Sequence, residues 1–300
     1  MTRPEAGNAI ALRERAESLA ATLPPLQVAA ERLASAVSLG VHGRRKAGMG
    51  ETFWQFRRYS NQDSSTLIDW RQSAKSQHLF VREREWEAAE AVWFWRDGSP
   101  SMRFVSAKNI SSKLERANLL ALALASLLVR GGERVALWAG GQAPATGRVP
   151  LNRMAHGLLD VAPQDCALPP DAPTARSSQL VWLSDFLSPL SDIEACLQRL
   201  CRIGLSGHLV QIVDPAEEDF PFAGRTRFES VAGRENTIFG RAEAVRDAYR
   251  ARFRSHGEAV RAAAHRLGWS HTAHRTDHRP EIALIALYTA VGGTQVKLRQ

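Results

Sequence analysis

The run Asp97-Gly98-Ser99-Pro100-Ser101 places one carboxylate and two hydroxyls at alternate positions, directly after the apolar stretch Ala91-Val92-Trp93-Phe94-Trp95. In extended backbone, residues i, i+2 and i+4 project to one side, so three hard oxygen donors can converge on one cation. Mg²⁺ suits that chemistry, taking about six oxygens at roughly 2.0–2.1 Å and often keeping waters. An Asp-Gly-Ser sequence after a strand also makes an ordinary turn, so the neighbouring acids matter. Two further apolar stretches end in acids: Leu180–Ser184 runs into Asp185, and His208–Val213 into Asp214. On parallel strands such ends share one edge of the sheet, where open α/β sheets bind ligands. Alone, Asp185 equally suits a helix N-cap and Asp214-Pro215 a turn.

The elements that must position these acids follow from apolar periodicity and from Gly and Pro. Strands are expected at Ala91–Trp95, Arg134–Ala139, Gln179–Leu183, His208–Val213 and Trp269–Ala273. Helices are expected at Leu114–Arg130, Leu151–Leu159, Ser191–Ile203, Ala242–Gly268 and Pro280–Val291. Strands alternating with helices predict an α/β fold, a doubly wound, mainly parallel sheet. Ahead of it, 9–23 and 26–39 read as two helices broken by Pro24-Pro25, and Gly40–Gly50, with four glycines, as a loop. From Glu51 to Glu90 aromatic rings are interleaved with charge and show no clean period; they read as core between the leader and the sheet. Ala162–Ser178, with four prolines, reads as a long surface loop. The expected organisation is a helical leader over 1–40, a basic and aromatic segment over 41–87, and the doubly wound domain over 88–300.

Composition narrows the class. With 44% hydrophobic and 23% charged residues, the 300-residue chain reads as a soluble globular protein. Its net charge is +8, and between His42 and Arg84 nine basic residues face four acidic ones, a local +5. Such a segment attracts polyanions without reading sequence, so no specific nucleic acid is expected. Three cysteines, Cys166, Cys196 and Cys201, lack paired-ligand spacing, which argues against disulfides or structural zinc and for a reducing cytoplasm. The charged first twenty residues do not form a signal peptide, and the apolar stretch Leu119–Val129 is too short to span a bilayer. An integral membrane protein is not expected.

The order Asp97-x-Ser99-x-Ser101-Met102, then a Lys-bearing segment and a long helix, then Ser184-Asp185-Phe186, resembles a von Willebrand factor A-like domain. More closely, the chain resembles the bacterial domain-of-unknown-function family 58. That resemblance rests on Gly48-x-Gly50-Glu51-x-Phe53, Arg57-x-Tyr59, Ile68-Asp69-Trp70-Arg71-x-Ser73-Ala74, Val81-Arg82-Glu83, Val213-Asp214-Pro215-Ala216-Glu217 and Phe220-Pro221-Phe222. Arg246-x-x-Tyr249, Gly268-Trp269 and Thr276-Asp277 extend it toward residue 290. It implies a metal-ion-dependent adhesion site and a MoxR-type AAA+ ATPase as partner in a chaperone-like or assembly role. In that pattern Asp97, Ser99 and Ser101 hold Mg²⁺, and Asp185 contributes from a later loop through water. A second-loop Thr usually completes the set; here the nearest is Thr146, which does not open a helix.

Other motifs carry less. Gly43-Arg44-Arg45-Lys46-Ala47-Gly48 has the outer glycines of a phosphate-binding loop, but Met49-Gly50 stands where Lys and Ser/Thr are needed. His271, His274 and His278 read as a solvated turn, and Cys196 and Cys201 as packing. Two functions remain. The preferred one is a non-enzymatic module whose cation captures an Asp or Glu from a client protein. The alternative is a Mg²⁺-dependent phosphodiesterase or nuclease using Asp97, Asp185 and Asp214. It needs more carboxylates than the first loop offers.

Overall fold

A computed structural model describes residues 10, 13, 14, 17, 45–48, 52–59, 68–75, 78–87, 91–138, 140–159, 167–171, 178–229 and 236–297. Most of the two expected leader helices and most of the Ala162–Ser178 loop lie outside these residues. Five strands form the central sheet: β4 (Ala91–Arg96), β5 (Arg134–Leu137), β6 (Gln179–Ser184), β7 (Ser206–Val213) and β10 (Ser270–Arg275). All adjacent pairs are parallel, in the spatial order β10-β7-β6-β4-β5. β4 and β6 are buried at every position, the signature of strands covered on both faces.

Alternation sends neighbouring side chains of one strand into different cores. Val92, Phe94, Val181, Leu183, Val210 and Ile212 pack on one face against α2 (Lys113–Arg130), α3 (Arg148–Leu159) and α7 (Pro280–Lys297). Trp93, Trp95, Leu180, Trp182 and Leu209 pack on the other against α4 (Leu190–Arg202) and α6 (Arg246–Arg266). The doubly wound parallel sheet is therefore the fold, as expected. Helix α2 begins at a capping box in which Ser112 Oγ accepts from the Glu115 amide at 3.2 Å and Glu115 returns the bond to the Ser112 amide. It ends where the Gly131 amide closes on Leu127 O and Gly132 takes φ 90°.

Ahead of this sheet, β1 (Arg45–Gly48), β2 (Thr52–Arg58) and β3 (Phe80–Glu87) form a separate antiparallel sheet in the order β1-β3-β2. Between β2 and β3, Asp69 caps the single turn α1 (Trp70–Ser73) by accepting from the Gln72 amide at 2.9 Å. Two expectations change here. Residues 45–48, read as loop because of their glycine-rich surroundings, are a strand, and Trp70, read with the buried rings, is 65% exposed. A hairpin follows β7: the short helix α5 (Pro215–Asp219) leads to β8 (Thr226–Glu229) and β9 (Asn236–Phe239). Its stability comes from rings. Phe220 stacks on Phe228 and tilts against Tyr249, with Phe222 and Phe239 edge-on to Phe228.

Among the described residues no helix is long and apolar enough to cross a membrane.

Candidate metal centre

From β4 the chain goes on to its neighbour β5 in one direction and from β6 to β7 in the opposite direction, so the carboxyl ends of β4 and β6 flank a topological switch point. Asp97 and Asp185 are the first residues past those two ends. The Asp97 amide still donates to Leu183 O at 2.9 Å, which fixes the loop to the sheet edge. Asp97 itself is fully buried, contrary to the exposed ligand a strand end suggests. Its Oδ1 accepts from the Ser99 amide and its Oδ2 from Ser184 Oγ, each at 2.7 Å. Burial raises its pKa above the ordinary carboxylate range and the nearby Asp185 adds to the rise, while the bonds from Ser184 and Ser99 oppose it.

Ser99 precedes a 3-10 turn, Pro100–Arg103, that carries Ser101 over the site and drives Met102 into the core. Ser101 Oγ donates to Asp185 Oδ2 at 2.6 Å and lies 3.0 Å from Ser99 Oγ. A hydroxyl has one proton, and that of Ser101 goes to the carboxylate, so Ser99 must be the donor between the two serines. The lone pairs of Ser99 are left for another partner. Behind them, Phe186 takes a left-handed φ of 54°, an uncommon conformation for a bulky residue, and is held there by burial against Trp182 and by a 2.7 Å contact between its carbonyl and His256 Nε2.

Two side chains that sequence reasoning left without a role complete the cluster. Lys113, the first residue of α2, is fully buried; its Nζ donates to Asp185 Oδ2 at 2.9 Å and also to Glu217 Oε1. Burial alone would lower its pKa, but Asp185 and Glu217 outweigh that and hold it above the ordinary lysine value, so the ammonium stays charged. Glu217 comes from α5, where its other oxygen accepts from the Asp214 amide at 3.0 Å. A signal existed for both. Ser112-x-x-Glu115 and Asp214-x-x-Glu217 are capping-box spacings, which fix helix starts at the carboxyl edge of the sheet.

The remaining candidates lie elsewhere. Asp214 is buried and committed to backbone: Oδ1 accepts from Ala216 N at 2.8 Å and Oδ2 from Ser106 N at 3.0 Å, capping α5 and tying down the loop before α2. Asp185 caps no helix, since Pro189 holds that position in α4. Thr146 is exposed and follows Ala145, whose backbone bridges Val135 in the amino-terminal half of β5, away from the Asp97 end of the sheet. His271 and His274 lie on β10, not in a solvated turn, and the His274 ring lies 3.0 Å from Arg116 Nη1.

The structure thus brings Asp97, Ser99, Ser101 and Asp185 together, with Lys113 and Glu217 beside them. Among the described residues no three His, Cys, Asp or Glu side chains form a metal-binding group, so any ion here depends on the serine hydroxyls. Those donors are all oxygen, and the Lys113 ammonium is met by two carboxylates, Asp185 and Glu217, with Asp97 close to Asp185. Both properties fit a hard divalent cation held by Asp97, Ser99, Ser101 and Asp185.

The chain is 28% identical over 269 residues to uncharacterized proteins of Mycobacterium tuberculosis and Mycobacterium bovis, covering 85% of this chain and 81% of each relative. Among solved structures it matches an aerotolerance-related membrane protein from Bacteroides fragilis at 17% identity and a TM-score of 0.39, over 68% of this chain and all of that one. It also matches the conserved hypothetical protein BatB from Bacteroides thetaiotaomicron at 15% identity and a TM-score of 0.36, over 69% of this chain and 98% of that one. The model of the family described as protein of unknown function DUF58 matches residues 55–259, more than half of the chain, which therefore belongs to that family.

Proposed function

We propose that this chain is a non-enzymatic, cytoplasmic protein-binding module that captures an Asp or Glu of a client through a divalent cation, working with a MoxR-type AAA+ ATPase. The observation that carries the reading is the convergence of Asp97, Ser99, Ser101 and Asp185 at the sheet's switch point. The ATPase partner rests on the family resemblance alone. A bound Mg²⁺ would supply an electrophilic position that accepts one further carboxylate oxygen. The chain's own residues do the rest: Ser184 and the Ser99 amide fix the Asp97 carboxylate, and Ser101 aligns with Asp185. Hydroxyl ligands neutralise less of the cation's charge than carboxylates do, which favours an acidic partner group. Hydrolysis by three strand-end carboxylates is the weaker reading, because Asp214 caps α5 and holds the Ser106 amide, whereas Asp185 bonds the hydroxyl of Ser101 in the first loop.

The test is co-purification of the chain with a purified MoxR-type ATPase in Mg²⁺ and in EDTA. Capture in Mg²⁺, lost in EDTA and in Asp97→Asn, is expected. Equal capture in EDTA, or no capture in either buffer, would refute the proposal.

A further inference from the structure

Lys113 occupies a position that two general penalties oppose. A fully buried ammonium loses its hydration, and a cation at the first residue of a helix faces the positive end of the helix dipole. Neither penalty is repaid by packing, since the charged head contacts carboxylates and not the apolar core. What holds it is the site. Asp185 Oδ2 receives Ser101 Oγ at 2.6 Å and Lys113 Nζ at 2.9 Å together, so the ammonium stands against the same carboxylate oxygen that a cation ligand set would offer. The second partner of Lys113, Glu217, is not one of the four oxygen ligands and reaches in from a different element.

We propose that Lys113 is the site's built-in cation: a divalent ion binds by competing with its ammonium for Asp185, and Glu217 is the carboxylate that keeps Lys113 when the exchange occurs. This inference rests on the cation reading above and deepens it. Charge at Asp185 is then never uncompensated, because the Lys113 ammonium neutralises it when no ion is present. Binding becomes an exchange, which lowers affinity and confines occupancy to high cation concentrations. The exchange also redistributes charge onto Glu217, whose Oε2 holds the Asp214 amide at the start of α5, so cation occupancy is coupled to the turn leading into the β8–β9 hairpin.

The experiment compares the full-length wild type with Lys113→Met and with the double variant Lys113→Met, Glu217→Gln. The double variant removes one positive and one negative charge, so it keeps the local balance if the single variant fails to fold. Mn²⁺ and Mg²⁺ affinities are measured by calorimetry, and melting temperature in EDTA and with each ion. Both variants should bind Mn²⁺ at least about tenfold more tightly than wild type, because a competing unit charge at contact distance is gone. Lys113→Met should also melt lower in EDTA and recover more than wild type when the ion is added. Equal affinity in wild type and variants overturns the role of Lys113 and leaves the cation reading standing. Binding to the variants alone supports Lys113 as the resident cation and removes the divalent ion from the wild-type function. Absence of binding in all three overturns both.

Discussion

Replacing Asp97 tests the site and the fold together, because its carboxylate is buried and fully engaged. Asp97→Ala removes two charge-assisted hydrogen bonds of 2.7 Å, one from the Ser99 amide and one from Ser184 Oγ. Bonds to a charged acceptor are worth about 1.5–3 kcal/mol each, which sets an upper range of roughly 3–6 kcal/mol. Two effects reduce it. Ser184 Oγ still accepts from the Phe186 amide at 3.0 Å, and Asp185 loses a like-charged neighbour. A net loss of about 2–4 kcal/mol remains, which at roughly 2–4 °C per kcal/mol is a fall of about 5–15 °C in melting temperature. Asp97→Asn separates charge from shape. Its Oδ1 can keep the Ser99 amide while its NH₂ group requires the Ser184 hydroxyl to turn, a cost of about 1 kcal/mol. The assay pairs melting curves with Mn²⁺ calorimetry: alanine should lose both stability and cation affinity, asparagine chiefly the affinity. An unchanged melting temperature in Asp97→Ala would refute the buried, bonded carboxylate, and full affinity in Asp97→Asn would refute its role as a ligand.

Two further perturbations probe the sheet. His208, His271 and His274 have pKa values lowered to about 4, by burial first and then by His271 beside His208, Arg261 beside His271 and Arg116 beside His274. As pH falls, the unfolded chain takes up these protons first, so stability present above about pH 6.5 should be lost progressively toward pH 4, by on the order of a few kcal/mol. Urea midpoints that stay constant from pH 7.5 to 5 would contradict it. Gly207 sits where a Cβ would lie 2.1 Å from Leu180 O and 2.7 Å from Trp269 Cζ3. Gly207→Ala should therefore force β6 and β7 apart and cost about 3 kcal/mol or more in denaturant melts. A wild-type midpoint would refute the close approach.

Four of the five central strands were legible because each is a short apolar run next to Gly or Asp, whereas β10, Ser270–Arg275, is largely polar; α2 was legible from its long apolar run ended by Gly131-Gly132. The first sheet was not. A bulge between Phe53 and Gln55 shifts the register of β2 against β3, and a one-residue shift exchanges the two faces, so no single period of two runs through that segment. The β8–β9 hairpin escaped notice because four-residue strands carry little pattern and depend on Phe220 and Tyr249 from outside the hairpin. Asp97, Ser99, Ser101 and Asp185 could be named from spacing and family pattern. The inward turn of Lys113 could not, since a lysine at a helix start reads as solvated charge until the neighbouring loops supply its two carboxylates.

Helix α2 is buried without a break from Leu120 to Leu128 and is enclosed by the sheet, α3 and α7. Its first turn is pinned as well: Arg116 reaches the carbonyls of Thr276 and His278 at 2.8 Å, across the loop that follows β10. The backbone under Lys113 therefore has no room to slide or tilt. Any rearrangement at the ammonium is a rotation about side-chain bonds, far faster than the microsecond-to-millisecond displacement of a whole helix. Across from that wall the five-residue α5 is held by side chains: Arg275 pairs with Glu218 and Asp219, and Arg246 reaches the carbonyls of Phe220 and Phe222. The carboxyl edge thus divides into a wall set by helix packing and a turn set by ion pairs and hydrogen bonds, and the Lys113–Glu217 contact joins the two.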